Sequence, residues 1–305
     1  MRITTNLFAA VGAVLTMASC GQNRPASVPQ VEILTNDSIA YCESVLADGD
    51  RLLVCNFGTD ELNPLNTEGK GYVLEWKDGI FRTLIPADGN LSGPKGTLIK
   101  DSHLFIADVG KMVVYNLDTL SQAPQVVPFP EGELFVNDMA LAGDTLYVTV
   151  TNTGNIYSLD VSAPSKLDPQ ALTLYTNVPG ANGIVLRDDV MYVASYPPDG
   201  VTTDKNVIYE IGDIRTPHPA PLTDRAGQYD GLALSGSILP VGSMARSVIG
   251  ISRTEAYNCL IWPMLNCPVL RESRCVTAYS IFRIFPPAES LSCAKLVFLF
   301  VNTKK

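Results

Sequence analysis

Three observations predict an all-β chain of the propeller type. A hairpin pattern recurs five times without gaps, the repeat period lies mostly in the forties, and no long stretch carries the helical period. The five stretches are "ESVLADGDRLLVCN" from Glu43, "KGTLIKDSHLFIAD" from Lys95, "NDMALAGDTLYVTV" from Asn137, "NGIVLRDDVMYVAS" from Asn182 and "DGLALSGSILPVGS" from Asp230. Each opens on a polar residue eleven positions before a β-branched one: Val54, Ile106, Val148, Val193 and Val241. The openings are spaced by 52, 42, 45 and 48 residues.

Further apolar runs, "GYVLEW", "MVVYNL", "NIYSLD" and "VIYEIG", follow the second strand of the first four repeats. They are rich in Val, Ile and Tyr, as strands prefer. Pro and Gly fill the links. Each repeat therefore reads as a four-stranded blade. The innermost strand of a blade lines the central channel, so its opening residue sits at one mouth. Glu43, Lys95, Asn137, Asn182 and Asp230 are expected to converge there from five separate blades. Asn and Asp also begin strands because they favour turns. That accounts for Asn137, Asn182 and Asp230 singly, and less well for a Glu and a Lys in the same column.

Two carboxylates about 5 Å apart repel by about 3 kcal/mol at an effective dielectric near 20. Glu43 and Asp230 must avoid this, share a proton or bind a cation. With the amide oxygens of Asn137 and Asn182 they form an all-oxygen set. Such a set suits Ca²⁺ first and Mg²⁺ or Mn²⁺ next, with Zn²⁺ less expected because no His or Cys is in the column. Lys95 is the competing counter-ion, or a contact for an anionic substrate group.

The order Glu, Asn, Asn, Asp resembles the gluconolactonase and senescence-marker-protein family of six-bladed propellers. The matching pieces are Glu43-Ser44, Pro94-Lys95-Gly96, Asn137-Asp138, Asn182-Gly183 and Asp230-Gly231, over residues ~30 to ~245. The likeness is closest to the lipoprotein-like bacterial members. It implies that Glu43, Asn182 and Asp230 hold a divalent metal, with Asn137 a ligand or a substrate contact. It also implies metal-assisted hydrolysis of a small lactone or sugar-acid ester, with Asp230 or Glu43 as the catalytic base. The "EGP" opening of the enzymatic members is absent, since Ser44 and Val45 follow Glu43. The alternative is a non-catalytic propeller that binds a small molecule, glycan or protein at the same mouth.

Other chemistry is thinly represented. His103 falls in a hairpin turn and His218 in "TPHPAP", both places for surface residues. No phosphate-binding glycine loop appears. Residues 58 to 71, "GTDELNPLNTEGKG", read as a long loop over the mouth. Cys42 and Cys55 lie near facing positions of one hairpin, either paired or as two buried thiols.

The start, "MRITTNLFAAVGAVLTMASCGQN", has Arg2 and an apolar run from Leu7 to Ala18. That run is shorter than the ~20 residues of a spanning helix and suits a secretory signal. Met17-Ala18-Ser19-Cys20 resembles the lipobox of bacterial lipoproteins, which implies a signal over residues 1–20, a lipid on Cys20 and a tether over 21–29. The chain is then expected on the cell envelope, periplasmic or outer-membrane-associated, held to the membrane by that lipid. A net charge of −9 argues against nucleic acid as a partner and leaves a small-molecule substrate or ligand.

Blades one to five are expected within residues 30–245. The sixth should open near residue 277, where "TAYSIFRIFPPAES" has no turn residue after its apolar run. Residues 246–305 hold four cysteines, one glycine and no aspartate, and read as an aberrant tail in place of the sixth blade. A shifted reading frame after about codon 237 explains that composition. An alternative frame encoding a sixth blade is what the gene should contain.

Overall fold

The computed structural model describes residues 30–234, 238–243, 247–252, 260–263, 282–284 and 295–300. The signal, Cys20 and the tether lie outside the described residues, as do Cys259, Cys267, Cys275 and Cys293. The chain is an all-β propeller. A single 3-10 turn, Pro169–Ala171, is the helical element among the described residues.

After β1 (Gln30–Thr35) come four antiparallel strands that form the first blade: β2 (Cys42–Asp48), β3 (Arg51–Asn56), β4 (Tyr72–Lys77) and β5 (Ile80–Ile85). The second blade is β6 (Thr97–Lys100), β7 (His103–Asp108), β8 (Lys111–Asn116) and β9 (Gln125–Pro128). The third is β10 (Val136–Ala142), β11 (Thr145–Val150), β12 (Asn155–Asp160) and β13 (Thr173–Asn177). The fourth is β14 (Ala181–Arg187), β15 (Val190–Ser195), β16 (Ile208–Ile211) and β17 (Pro219–Pro221). The fifth is β18 (Tyr229–Leu232), β19 (Ile238–Ser243), β20 (Ser247–Ser252) and β21 (Leu260–Pro263). A sixth sheet has three strands, β22 (Phe282–Ile284), β23 (Lys295–Phe300) and β1, with β1 running parallel to β23 from Gln30↔Lys295 to Thr35↔Phe300. Residue 245 falls between β19 and β20, so the outer half of the fifth blade comes from beyond that point.

The β-branched column of the repeat is the floor of the hydrophobic core. Val54, Ile106, Val148, Val193 and Val241 are all fully buried. Each pairs with the residue two places after an opening: Val45, Thr97, Met139, Ile184 and Leu232. The cores lie between blades. Leu53, Cys55 and Val73 of the first blade face Leu104, Ile106 and Val113 of the second. Alternate residues point to opposite faces of a strand, so Leu52 and Val54 pack on the other side with Cys42 and Val45. Each such side chain contributes about 1.5–3 kcal/mol of burial energy.

That alternation decides the cysteines. Cys42 and Cys55 are free, buried thiols that belong to cores on opposite faces of the first blade. Burial pushes the Cys42 thiol up to about 12, with Glu43 adding to the rise.

His103 departs from the surface position expected of it. It is buried, with Nδ1 2.6 Å from the carbonyl of Asp101 in the preceding turn. Asp101 and Ser102 both have positive φ, which makes that turn tight enough to fold the ring inward.

Candidate functional site

The opening residues stand in a repeated β-bulge. In the third blade Val136 pairs with Val150 and Met139 with Val148, so Asn137 and Asp138 together face Thr149. In the fourth, Asn182 and Gly183 face Ala194, and in the fifth, Asp230 and Gly231 face Gly242. In the first blade the register slips at Glu43, between Cys42↔Asn56 and Ser44↔Cys55. The second blade has the equivalent kink just before β6. There the Lys95 N–H donates to the Ala107 carbonyl (2.8 Å), and the Ala107 N–H donates to that of Gly96 (2.9 Å). A bulge bends its strand and re-aims a side chain. Here it sets the opening residue of each repeat apart from the alternation that governs the rest.

In the first four blades the residue after the opening lies against the next blade. Ser44 and Thr97 share a hydroxyl hydrogen bond of 3.1 Å between the first and second blades. The Gly96 N–H donates to the Asn137 carbonyl (2.7 Å) between the second and third. A Cβ on Gly96 would lie 2.6 Å from that oxygen and from Asp138 Oδ1; one on Gly183 would lie 2.3 Å from the Asp230 carbonyl. Glycine stands at both positions because the neighbouring inner strand occupies the space. Between the third and fourth blades, Asp138 Oδ2 accepts from the Ile184 N–H (3.1 Å) and Thr149 Oγ1 donates to the Asn182 carbonyl (2.6 Å).

The carboxylates of three blades feel one another. Burial pushes Asp230 up to about 8, with Glu43 and then Asp138 adding repulsion. Burial also raises Glu43; Lys95 opposes that rise and Asp138 adds to it. Asp138 is pushed up to about 6 by burial, against the stabilising N–H groups of Met139 and Ile184. Glu43, Asp138 and Asp230 keep some contact with solvent, yet protein surrounds them closely enough for desolvation to dominate. The first, third and fifth blades thus bring acids within electrostatic reach, as the opening column implied for Glu43 and Asp230.

Lys95 is almost fully buried at 1% exposure. Its ammonium donates to the carbonyls of Pro64 (3.0 Å) and Gly93 (2.8 Å) and sits 5.6 Å and 6.0 Å from the ring centres of Phe57 and Phe135. Burial pushes its pKa down, while Glu43 and Asp108 hold it up. Asp108 builds this nest by accepting from the N–H groups of Ser92 and Gly93. Pro64 belongs to the loop read as a cover for the mouth. That loop is fastened to the second blade, with Asn66 Nδ2 donating to the Ser92 carbonyl (3.0 Å) and the Gly69 N–H to Ser92 Oγ (3.0 Å).

Asn137 and Asn182 are buried residues that open neighbouring bulges. Among the described residues no three His, Cys, Asp or Glu side chains are grouped so as to hold a metal by themselves. A cation here needs neutral oxygens as well, and the two asparagines carry them. The donor chemistry fits a hard divalent ion: two repelling carboxylates and two amides, each with oxygen to offer.

Asp138 is the acid that the opening column leaves out. It occupies the second position of the bulge, where the other repeats carry Ser44, Gly96, Gly183 and Gly231. A carboxylate in a column of small residues was the signal. Its function at that position is to strap the third blade to the fourth.

No protein-family model and no curated protein matches the sequence. Solved structures do match in fold. A catalytically inactive virginiamycin B lyase from Staphylococcus aureus with quinupristin is 12% identical, covering 75% of this chain and 72% of that one, at a TM-score of 0.54. A streptogramin B lyase is 11% identical, covering 75% and 70%, at 0.53. A chain of a nidogen/laminin complex is 13% identical, covering 75% and 77%, at 0.50. The likeness to all three is one of architecture, and this chain is, like them, a β-propeller.

Proposed function

We propose that the mouth binds a divalent cation, Ca²⁺ first, through Glu43, Asn137, Asn182 and Asp230, and that the protein is a metal-dependent hydrolase of the lactonase type. The observation that supports this reading is the mutual repulsion of Glu43 and Asp230, desolvated by the protein around them, on a ring whose other openings include Asn137 and Asn182.

A bound cation would polarise an ester carbonyl and stabilise the negative charge that develops on its oxygen. Asp230 accepts the proton of the attacking water as the water oxygen bonds to the carbonyl carbon. The ring C–O bond then breaks, and Asp230 returns the proton to the departing alkoxide. Without a cation, burial keeps Asp230 protonated; a bound cation would ionise it and leave a carboxylate able to accept the proton. Glu43 helps hold the cation, and Lys95 tempers its charge from the adjoining blade. Through the lipid on Cys20 the mouth works at the cell envelope; loss of lipid labelling in Cys20→Ala checks that placement.

The test is a thermal melt with and without Ca²⁺, followed by a panel of small lactones. Stabilisation by Ca²⁺ and turnover, both lost in Glu43→Ala and Asp230→Ala, bear out the enzyme. Stabilisation without turnover makes this a binding propeller instead. No response to any divalent ion removes the site.

A further inference from the structure

Two loops on the mouth face hold a leucine out to solvent. Leu62 is 40% exposed in the loop between β3 and β4, and Leu134 is 45% exposed in the link from β9 to β10. Both loops are fixed by side chains. The Asp60 carbonyl accepts from the Tyr41 hydroxyl (3.2 Å), and the Glu61 carbonyl from the Thr59 hydroxyl (2.7 Å). Asn152 Oδ1 accepts from the N–H groups of Leu134 (3.0 Å) and Phe135 (2.9 Å), and its Nδ2 donates to the Gly132 carbonyl (2.7 Å). A fixed loop presents its leucine with little left to order on binding.

The two loops form one surface. Lys95 Nζ donates to the carbonyl of Pro64, two residues past Leu62, and lies 6.0 Å from the ring centre of Phe135, which follows Leu134. Val109 stands between them. It pairs with Phe135, and a Cβ on Gly93 would lie 3.0 Å from the Pro64 carbonyl oxygen and 3.3 Å from Val109 Cγ2. The next residue, Gly110, donates its N–H to the Leu134 carbonyl (3.1 Å). Pro64, Val109 and Phe135 are half-buried, so partly exposed apolar side chains lie between the two leucines.

Acids edge this surface. Asp60 and Glu61 precede Leu62, and Glu131 stands three residues before Leu134; all three are exposed. The cations nearby are engaged: Lys95 is buried, Lys70 is paired with Glu68 (2.7 Å) and Lys111 with Asp108 (3.6 Å). That charge selects the occupant. A second copy would bring acid against acid, and each chain carries −9. An anionic lipid surface or a nucleic acid would be repelled as well. A cationic chain with apolar side chains is complementary on both counts.

We propose that the surface of Leu62, Pro64, Val109, Leu134 and Phe135 docks a basic polypeptide segment. Apolar side chains of that segment cover the two leucines, and its Lys or Arg residues meet Asp60, Glu61 and Glu131. The docking needs no metal and is independent of the cation reading above.

The experiment uses the full chain and three labelled peptides: one alternating lysine and leucine, one with glutamate in place of lysine, and one with serine in place of leucine. Fluorescence anisotropy follows binding in chelator at low and high salt. The lysine–leucine peptide should bind, more weakly at high salt, and the other two should not. Leu62→Ser and Leu134→Ser should each weaken binding about five- to tenfold. Glu61→Lys combined with Glu131→Lys should weaken it at least as much and flatten its salt dependence. These variants change exposed side chains only and should melt with wild type. Failure of the lysine–leucine peptide to bind wild type overturns the proposal. Equal binding of the serine peptide, or full binding by both leucine variants, overturns it too, because the contact is then one of charge alone. Binding to anionic vesicles, or a dimer in sedimentation, that the leucine variants abolish gives the surface to a membrane or a second copy and overturns the basic partner.

Discussion

Thr149 and Asn182, in different blades, are joined by a single short hydrogen bond: the Thr149 hydroxyl donates to the Asn182 carbonyl at 2.6 Å. Thr149 Oγ1 in turn accepts from the Asp138 N–H at 3.0 Å. One hydroxyl thus fixes two neighbouring bulges and the two asparagines that open them. Thr149→Val should cost about 1–3 kcal/mol, because the Asn182 carbonyl loses its donor inside the protein. Urea denaturation measures the loss. A Ca²⁺ titration should show weaker binding as well, since the amides are no longer held in register.

Gly183 and Gly231 occupy the same repeat position in different surroundings. A Cβ on Gly183 meets the Asp230 carbonyl at 2.3 Å, whereas one on Gly231 meets nothing within 4 Å among the described residues. Gly183→Ala should therefore destabilise by about 1–3 kcal/mol through overpacking, and Gly231→Ala by much less. Melting both variants side by side checks this. Equal losses would mean that the fourth and fifth inner strands are not in contact.

The raised acids make stability depend on pH in a defined direction. Asp230 holds its proton to about 8 in the folded protein and Asp138 to about 6, while both release near 3.8 when unfolded. Their contribution is complete below about pH 4 and is lost as pH rises through 6 and then 8. In chelator the melting temperature should fall across that range. Ca²⁺, which binds the ionised form, should flatten the decline, and Asp230→Asn should remove most of it. A melting temperature that rises from pH 5 to 8 in chelator contradicts the assignment.

Cys42 and Cys55 should resist alkylation in the native state and react only in denaturant, because both thiols are buried and burial raises them well above the usual range. Peptide mass spectrometry after iodoacetamide treatment reads this directly. Oxidation should not link them, since they belong to different faces of one sheet.

The fold was legible in the sequence because it repeats. A β-branched residue eleven places after each opening marks a strand pair, and all five such residues are buried in the structure. The convergence of Glu43 and Asp230 followed from the same geometry. The bulges did not show, because a bulge is a relation between two strands and leaves no mark in either alone. The role of Asp138 was hidden for that reason: its carboxylate meets the N–H of Ile184, a residue of the following blade. The cage around Lys95 is equally remote in sequence, with Pro64 supplied by a loop of the preceding blade. His103 looked like a turn residue because it follows one, and nothing local reveals that its ring is covered.

The parallel pairing of β1 with β23 has a bearing on how the protein is made. Neighbouring hairpins can form as they leave the ribosome, each from contacts nearby in the chain. The seam of the ring needs its earliest strand to wait for its latest, so closure comes only after synthesis has passed both. Truncation short of residue 295 would leave β1 without its neighbour, and the nascent protein would present a sticky edge to other chains.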